Sequence, residues 1–334
     1  MRQICLSGSM SGKWTRSYGQ VTRAPPDERG GQQTNQTYGH RATSRLYPQK
    51  ANMPLWTKIA LGLIATVASV LWAARSIQAR ILAAAVNGLE DRARLEPQLP
   101  LAPQSLERLP PPVLRYLNHA LPPPLRGLRL ARYQQRGTLR TNPRNENWMK
   151  FTASQVIGPR TTEFLWTARA EIAPLLHVQV KDSLVGGQGS GQVALLSAVP
   201  VASAGGTLEM NSGSLHRFLA EAVWYPSALL PSSQLLWTPV DDFRAVATLT
   251  RGPVTVSLEF RFSLDNEVTS IYTPGRWGSF DGAYKQVAWE GKFRNYSRRN
   301  GVLVPTDGEV GWYTDGQWQS VWRGTVVSTS MEFQ

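Results

Sequence analysis

The chain has 334 residues, with 36 Lys and Arg against 23 Asp and Glu, a net charge of +13 and 42% hydrophobic residues. This apolar content is typical of a folded chain and excludes disorder throughout. The one Cys, at position 5, excludes an internal disulfide framework and a Cys-rich zinc site. The four His residues are scattered and never reach the spacing of metal ligands, so we expect no metal site and no cofactor.

Residues 1–52 carry +6 of the net charge and are rich in Ser, Thr, Gly, Gln and Arg. A segment this polar cannot bury enough apolar surface to offset chain entropy, which predicts a disordered basic tail. Its basic residues are spaced singly without interleaved aromatic residues, so we expect no nucleic-acid partner. Met53 begins MPLWTKIALGLIATV, which looks like a natural start, and the alternative is that 1–52 precede the true initiation site.

Residues 53–75 are predicted to form a transmembrane signal anchor. The run 59–74 is free of charge, and with 55–58 it reaches about 20 residues, enough for a hydrocarbon core of roughly 30 Å. Trp56 and Trp72 lie near its two ends, where interfacial indoles are favoured. A cleaved signal peptide is the alternative, although Trp72 and Arg75 crowd the cleavage site. The basic excess before the span places the body on the extracytoplasmic side of the cell membrane in a single-pass topology.

Residues 76–128 are predicted to form a juxtamembrane helix and a Pro-rich stalk. Triple prolines at 110–112 and 122–124 bracket a short helix whose Val113, Leu114 and Leu117 share one face. We interpret the region as a stiff spacer with a docking helix. The alternative is that the prolines are a ligand for a proline-reading domain.

From about residue 129 to the end at 334, the hydrophobic period changes to two. The segment 162–172 places Phe164, Trp166 and Ala168 on one face, and 254–262 alternates in the same way. Such alternation is typical of half-buried antiparallel strands. The pattern predicts one mainly β domain: a curled antiparallel sheet or half-barrel of about 10–12 strands, which must curl or close at this size.

One amphipathic helix interrupts these strands. Ser212 is a candidate N-cap, and Leu215, Phe218 and Leu219 follow at helical spacing until Pro226 ends the helix. A lone amphipathic helix among many strands is predicted to lie across the concave face of the sheet.

The sequence contains no G-x-S-x-G, G-x-x-x-x-G-K-[ST], strand-linked G-x-G-x-x-G or H-E-x-x-H motif. Asp182 lies on an apolar strand face, where a carboxylate is desolvated unless it is paired. It is therefore a candidate general acid/base or polar anchor, and the alternative is a strand-end Asp that reaches solvent or pairs with Arg169. Glu221 lies off the apolar face of the helix, so periodicity predicts that it is solvated.

Nine of the twelve Trp residues lie within 148–322. Trp289 shares a strand face with Val287 and Phe293, and wide aromatic side chains on the inner face of a curved sheet can line an apolar cavity. Ordinary core filling is the alternative. The candidate ligand-binding residues are Trp166, Arg169, Asp182, Glu221, Trp224, Arg276, Trp289 and Trp312.

The segments LERLPPPVLRYLNHALPPP, EFLWTARAEIAPLLHVQVKDSLVGGQG and LAEAVWYPSALLP, with others between 105 and 327, resemble a bacterial family that is catalogued as a domain of unknown function, often behind an N-terminal anchor. The most specific block is AEAVWYP at 220–226. The resemblance transfers no catalytic residue, but it draws interest to Glu221 and Trp224. The predicted architecture is also similar, at the level of fold, to the LolA/LolB-like lipoprotein carriers.

Three hypotheses for function follow. The first is a membrane-anchored, non-enzymatic protein of the cell envelope that binds a lipid or other apolar ligand in an aromatic-lined concavity. The second is a hydrolase or isomerase that uses Asp182 or Glu221 as acid/base, with Arg169 or Arg276 holding an anionic substrate. The third is a structural or interaction protein that recruits partners through its prolines and an exposed sheet edge.

Overall fold

The computed structural model describes residues 53–97, 103–143, 146–280 and 282–333. The predictions made for 1–52 lie outside these residues. The helices are α1 Leu55–Leu95, α2 Pro103–Glu107, α3 Pro111–Ala120 and α4 Leu208–Glu221. The strands are β1 Leu128–Leu139, β2 Met149–Gly158, β3 Glu163–Ala173, β4 Leu176–Val185, β5 Gln188–Leu195, β6 Val199–Gly205, β7 Leu235–Asp241, β8 Arg244–Arg251, β9 Val254–Phe262, β10 Val268–Phe280, β11 Ala283–Arg299, β12 Val302–Thr314 and β13 Gln317–Phe333.

The thirteen strands found in the described residues form one antiparallel half-barrel, in the order β6-β5-β4-β3-β2-β1-β13-β12-β11-β10-β9-β8-β7. This confirms the predicted curled sheet. At the edge of the sheet, the chain turns at 196–198 between β5 and β6. Two-residue turns at Gly186–Gly187 and Asp315–Gly316 have positive φ at both positions, which matches the right-handed twist of the paired strands.

The sheet packs a different helix on each face. The concave face holds the main core, in which α3 and α4 bury Leu117, Leu215 and Phe218 against inward-facing strand residues. The convex face holds a smaller cluster in which Leu89 of α1 meets Leu130 of β1. Successive side chains of a β strand point to opposite faces of the sheet, so neighbouring residues of one strand pack into different cores.

Helix α4 crosses the concave face, as predicted, but it begins earlier than expected. Its N-cap is Thr207, whose hydroxyl accepts a hydrogen bond from the backbone N–H of Met210 at 3.2 Å. Ser212 is therefore inside the helix. The first two turns of α4 lack an apolar stripe. They pack against Gly189, where a Cβ would lie within 3 Å of the Met210 carbonyl and the Ser214 hydroxyl.

Helix α1 is continuous for 41 residues, and its first half is exposed. Among the described residues it is the helix that is long and apolar enough to cross a membrane, and its apolar window is wholly unburied within the protein, so it is a candidate membrane anchor. Its second half is fixed to the sheet: Arg92 pairs with the buried Glu163 at 3.0 Å, and Glu90 pairs with Arg132 at 2.8 Å.

The region expected to be a stalk, 76–128, lies against the sheet in its described parts. Val113, Tyr116 and Leu117 of α3 are fully or almost fully buried in the main core. Pro112 is also buried, so the first triple proline caps a core helix and is not an accessible ligand. The boundary that the sequence predicts at residue 129 therefore lies between a helix, α3, and strands that pack against it in one core.

Candidate functional site

The concave face brings Asp182 and Glu221 together through an arginine of α4. Arg217 donates from Nη1 to the Asp182 carboxylate and from Nε to the Glu221 carboxylate, each at 2.7 Å. The Arg217 side chain is mostly buried, and Asp182 is the more exposed of the two carboxylates. The prediction that Glu221 is solvated is wrong, because the curled sheet covers α4 on more than one side.

The arginine is also held by the aromatic rings of β3. Its guanidinium carbon lies 4.8 Å from the Trp166 ring centroid and 5.1 Å from that of Phe164. Both distances are within cation–π range. Burial disfavours the charged guanidinium, and Glu221 and Asp182 outweigh that effect, so the pKa of Arg217 rises above its usual range.

A chain of amides continues from Glu221 into the sheet. Gln155 donates to the Glu221 carboxylate at 2.5 Å, Gln135 donates to the Gln155 carbonyl at 3.2 Å, and the Trp166 indole donates to the Gln135 carbonyl at 2.9 Å. Both glutamines are buried. This network satisfies the polar groups that the concavity encloses, as buried polar groups require.

Arg276, on β10, lies in the same concavity between two indoles. Its guanidinium carbon is 4.9 Å from the Trp289 ring and 5.3 Å from the Trp312 ring, and its Nη2 donates to the Gly213 carbonyl at 3.1 Å. Burial, followed by repulsion from Arg217, lowers the pKa of Arg276 to about 10. Within the described ranges it forms no ion pair, and its Nε and the Trp289 Nε1 are both buried without a hydrogen-bond partner.

An open cavity of about 410 Å³ adjoins Trp312. Its apolar wall includes Phe280, Val287 and Trp312, and the Phe280 and Trp312 rings meet edge to face at 5.2 Å. Lys285 and the segment 140–143 form part of its polar border. Gly278 leaves room for the Trp312 ring in this wall, because a Cβ there would lie 2.7 Å from that ring. The volume lies within the range of small-molecule sites.

Trp224 has a different environment. It is buried beside Phe293 and Trp322, and its Nε1 donates to the Pro305 carbonyl at 3.0 Å. Its own carbonyl accepts from the Tyr133 hydroxyl. The AEAVWYP block therefore fixes the end of α4 to the sheet.

Arg169 is separate from these residues. It lies on the convex face, on a groove between β3 and α1 that also includes Leu82 and Val86. Both sequence roles for Arg169, as a partner of Asp182 and as a holder of an anion beside it, are wrong, because its strand position faces away from the concavity. His177 is buried, and its Nε2 lies 3.0 Å from the Ser197 hydroxyl.

Sequence reasoning missed Arg217, Gln135, Gln155 and the cavity residues Phe280 and Lys285. The i, i+4 spacing of Arg217 and Glu221 was an available signal for their ion pair. In the described part of the chain, no group of three or more His, Cys, Asp or Glu residues could hold a metal ion.

The chain is similar to three solved structures. One is a LolA superfamily protein from Nitrosomonas europaea, with 10% identity over 66% of this chain and 92% of that chain and a TM-score of 0.33. Another is a DUF1329 family protein from Desulfovibrio piger, with 8% identity over 70% and 94% and a TM-score of 0.36. The third is a β-barrel-like protein of domain of unknown function DUF1849 from Brucella abortus, with 9% identity over 62% and 98% and a TM-score of 0.19.

Identities and TM-scores this low carry no argument about this chain. A search of curated proteins gives no match. The predicted resemblance to a family of unknown function is confirmed over residues 100–324, and the chain belongs to the family of unknown function DUF6544.

Proposed function

We propose that this protein is anchored in the membrane of the cell envelope by α1 and binds a lipid or other apolar ligand on the concave face of its sheet. The observation that carries the proposal is the cavity of about 410 Å³ walled by Phe280, Val287 and Trp312. Polar and charged residues, among them Lys285 and Asp315, form the rest of its lining, so the cavity offers an apolar wall and a polar border to an amphiphilic ligand.

The surroundings of Arg276 favour a ligand that is an amphiphile with an acidic or hydrogen-bond-accepting end. The guanidinium of Arg276 stacks on Trp312, which also lines the cavity, and its Nε has no partner. The Trp289 indole beneath it offers a second unpaired donor. A buried donor without a partner is costly, and an oxygen acceptor on the ligand would remove that cost.

The contacts of Asp182 and Glu221 do not favour the hydrolase or isomerase hypothesis. Asp182 and Glu221 are both bound to Arg217, and Glu221 also accepts a hydrogen bond from Gln155. These contacts are those of a structural network that holds α4 in the concavity.

Binding of a dansyl-labelled fatty acid to the detergent-solubilised full chain tests the proposal, with energy transfer from tryptophan as the signal. Val287→Trp fills the cavity and should weaken binding about tenfold or more, a loss of ~1.4 kcal/mol or more. Val327→Trp makes the same substitution at an exposed site on β13 and should bind as the wild type does. Equal binding by both variants, or no binding by the wild type, would contradict the proposal.

A further inference from the structure

The second half of α1 follows β4 towards the β3–β4 turn. A small pocket places Gln78 and Ile81 of α1 beside Gln179 and Lys181 of β4. Further along α1, Leu82 and Val86 lie beside Thr167 of β3, and Arg92 pairs with Glu163 at the start of that strand. Helix α1 is thus antiparallel to β3, which is itself antiparallel to β4. The helix and the strand therefore run in the same direction.

The alignment of α1 with β4 shows which residues of α1 lie at the same level as the β3–β4 turn. Leu175 lies four residues before Gln179 and six before Lys181, or about 13–20 Å, which equals about nine to thirteen residues of helix before the 78–82 segment that they contact. The turn is thus level with about residue 69 of α1, inside the apolar run 59–74. Leu71 and Ala74 are half-buried, while 58–70 are exposed throughout, so the body begins to cover α1 at that point.

The surface at this level is apolar and uncovered. Leu175 is 98% exposed, and its φ of +64° fixes it at the tip of the turn. Ile172 and Leu176 flank it and are also exposed, as are Val199 and Val201 on the edge strand β6, which contacts α1. We name this set the apical patch: Ile172, Leu175, Leu176, Val199 and Val201.

The charges around the apical patch are mainly basic. Arg75 is exposed on α1, Arg169 and Lys181 line the pockets where α1 meets the sheet, and the exposed Glu171 is next to the patch. Basic side chains beside an apolar surface favour the headgroup region of a bilayer that contains anionic lipids.

We infer that the apical patch is a membrane-contact surface, which enters the interfacial region of the same bilayer that α1 spans. The inference rests on the proposed membrane anchor and goes beyond it. An anchor alone would allow the body to stand away from the membrane, whereas the alignment of α1 with β4 holds the patch level with the apolar run of α1.

The test uses the full chain with Cys5→Ser and one new cysteine labelled with the environment-sensitive fluorophore NBD. Leu175→Cys reports on the apical patch. Gln188→Cys is the matched control, because Gln188 is exposed at the start of β5, opposite Val185 at the far end of β4 and about 30 Å from the β3–β4 turn. Both proteins are reconstituted into vesicles of phosphatidylcholine and phosphatidylglycerol, with and without a lipid that is spin-labelled near its headgroup.

We expect blue-shifted emission and quenching by the spin-labelled lipid at position 175, and neither at position 188. A label at 175 that behaves like the one at 188 overturns the inference. A blue shift that is not quenched by the lipid also overturns it, because a second copy of the chain would then cover the patch.

Extraction with alkaline carbonate separates the two proposals. A chain released by carbonate contradicts the anchor and, with it, the membrane-contact surface. A chain retained in the vesicles whose label at 175 stays in water contradicts the membrane-contact surface and leaves the anchor intact.

Discussion

The two faces of the sheet hold their helices by different means. On the concave face, α4 is enclosed, and its charged side chains Arg217 and Glu221 belong to a buried network. On the convex face, α1 presents one apolar stripe to the sheet, and charged pairs such as Arg94 with Glu332 surround it in partial contact with water. Sequence periodicity describes a helix with one covered side well, but it fails for a helix that is covered on several sides.

The largest expected effect comes from breaking the network on the concave face. Arg217→Met leaves the Glu221 carboxylate without its cation in a site where that side chain is 15% exposed. Removing one partner of a buried ion pair costs about 3–5 kcal/mol, so we expect a loss of about 3 kcal/mol in the free energy of unfolding. Urea unfolding followed by tryptophan fluorescence measures it, and Arg217→Met combined with Glu221→Gln should recover part of the loss.

Acid should lower the free energy of unfolding through His216, which lies on α4. Burial, followed by repulsion from Arg276, lowers the pKa of His216 to about 4, against about 6.5 in the unfolded chain. The unfolded chain therefore binds the proton first, so stability is complete above pH 6.5 and falls as the pH drops from 6.5 to 4. The loss should reach about 3 kcal/mol and be absent from His216→Gln. If the free energy of unfolding changed with pH in the same way for the wild type and His216→Gln, His216 would have no part in the acid effect.

On the convex face, Leu89→Ala should loosen α1 from the sheet. Leu89 is fully buried against Leu130, but the cluster is small and one helix can shift to close a cavity. We expect a loss of about 2 kcal/mol, the lower end for a buried Leu→Ala change. Hydrogen exchange should rise in 82–95 and stay unchanged in α4. Faster exchange in both helices would mean that the two faces are coupled.

The smallest effect is expected from Arg94→Met, the convex counterpart of Arg217→Met. Both Arg94 and Glu332 are more than a third exposed, so water and salt screen the pair. Exposed pairs contribute at most about 1 kcal/mol. A loss as large as that of Arg217→Met in the same urea experiment would remove the distinction between the two faces.

The fold could be predicted because the strands alternate. Segments such as 254–262 have one face in the core and one in water, and their sequence shows it. Strand β6 could not be predicted as a separate strand, because every one of its residues is exposed at the sheet edge and no alternation remains. The start of α4 is earlier than predicted because its first two turns pack on Gly189 through Met210 and Ser214, without an apolar stripe.

The candidate site could be predicted only in part. Strand alternation correctly places Trp166, Asp182, Trp289 and Trp312 on the inner face, but it cannot identify a partner from another element. Arg217 was missed because its contact with Asp182 joins residues 35 apart in the chain, through a crossing that depends on how far the sheet curls. The cavity beside Trp312 depends on Gly278, whose missing side chain leaves no hydrophobic signal.

Native mass spectrometry of the full chain purified from its membranes is the sharpest test for an amphiphile in the concavity. We expect a bound species in the wild type and in Val327→Trp that is lost in Val287→Trp. A wild-type chain that carries no ligand, or a ligand retained equally by Val287→Trp, would mean that the concavity does not bind an amphiphile.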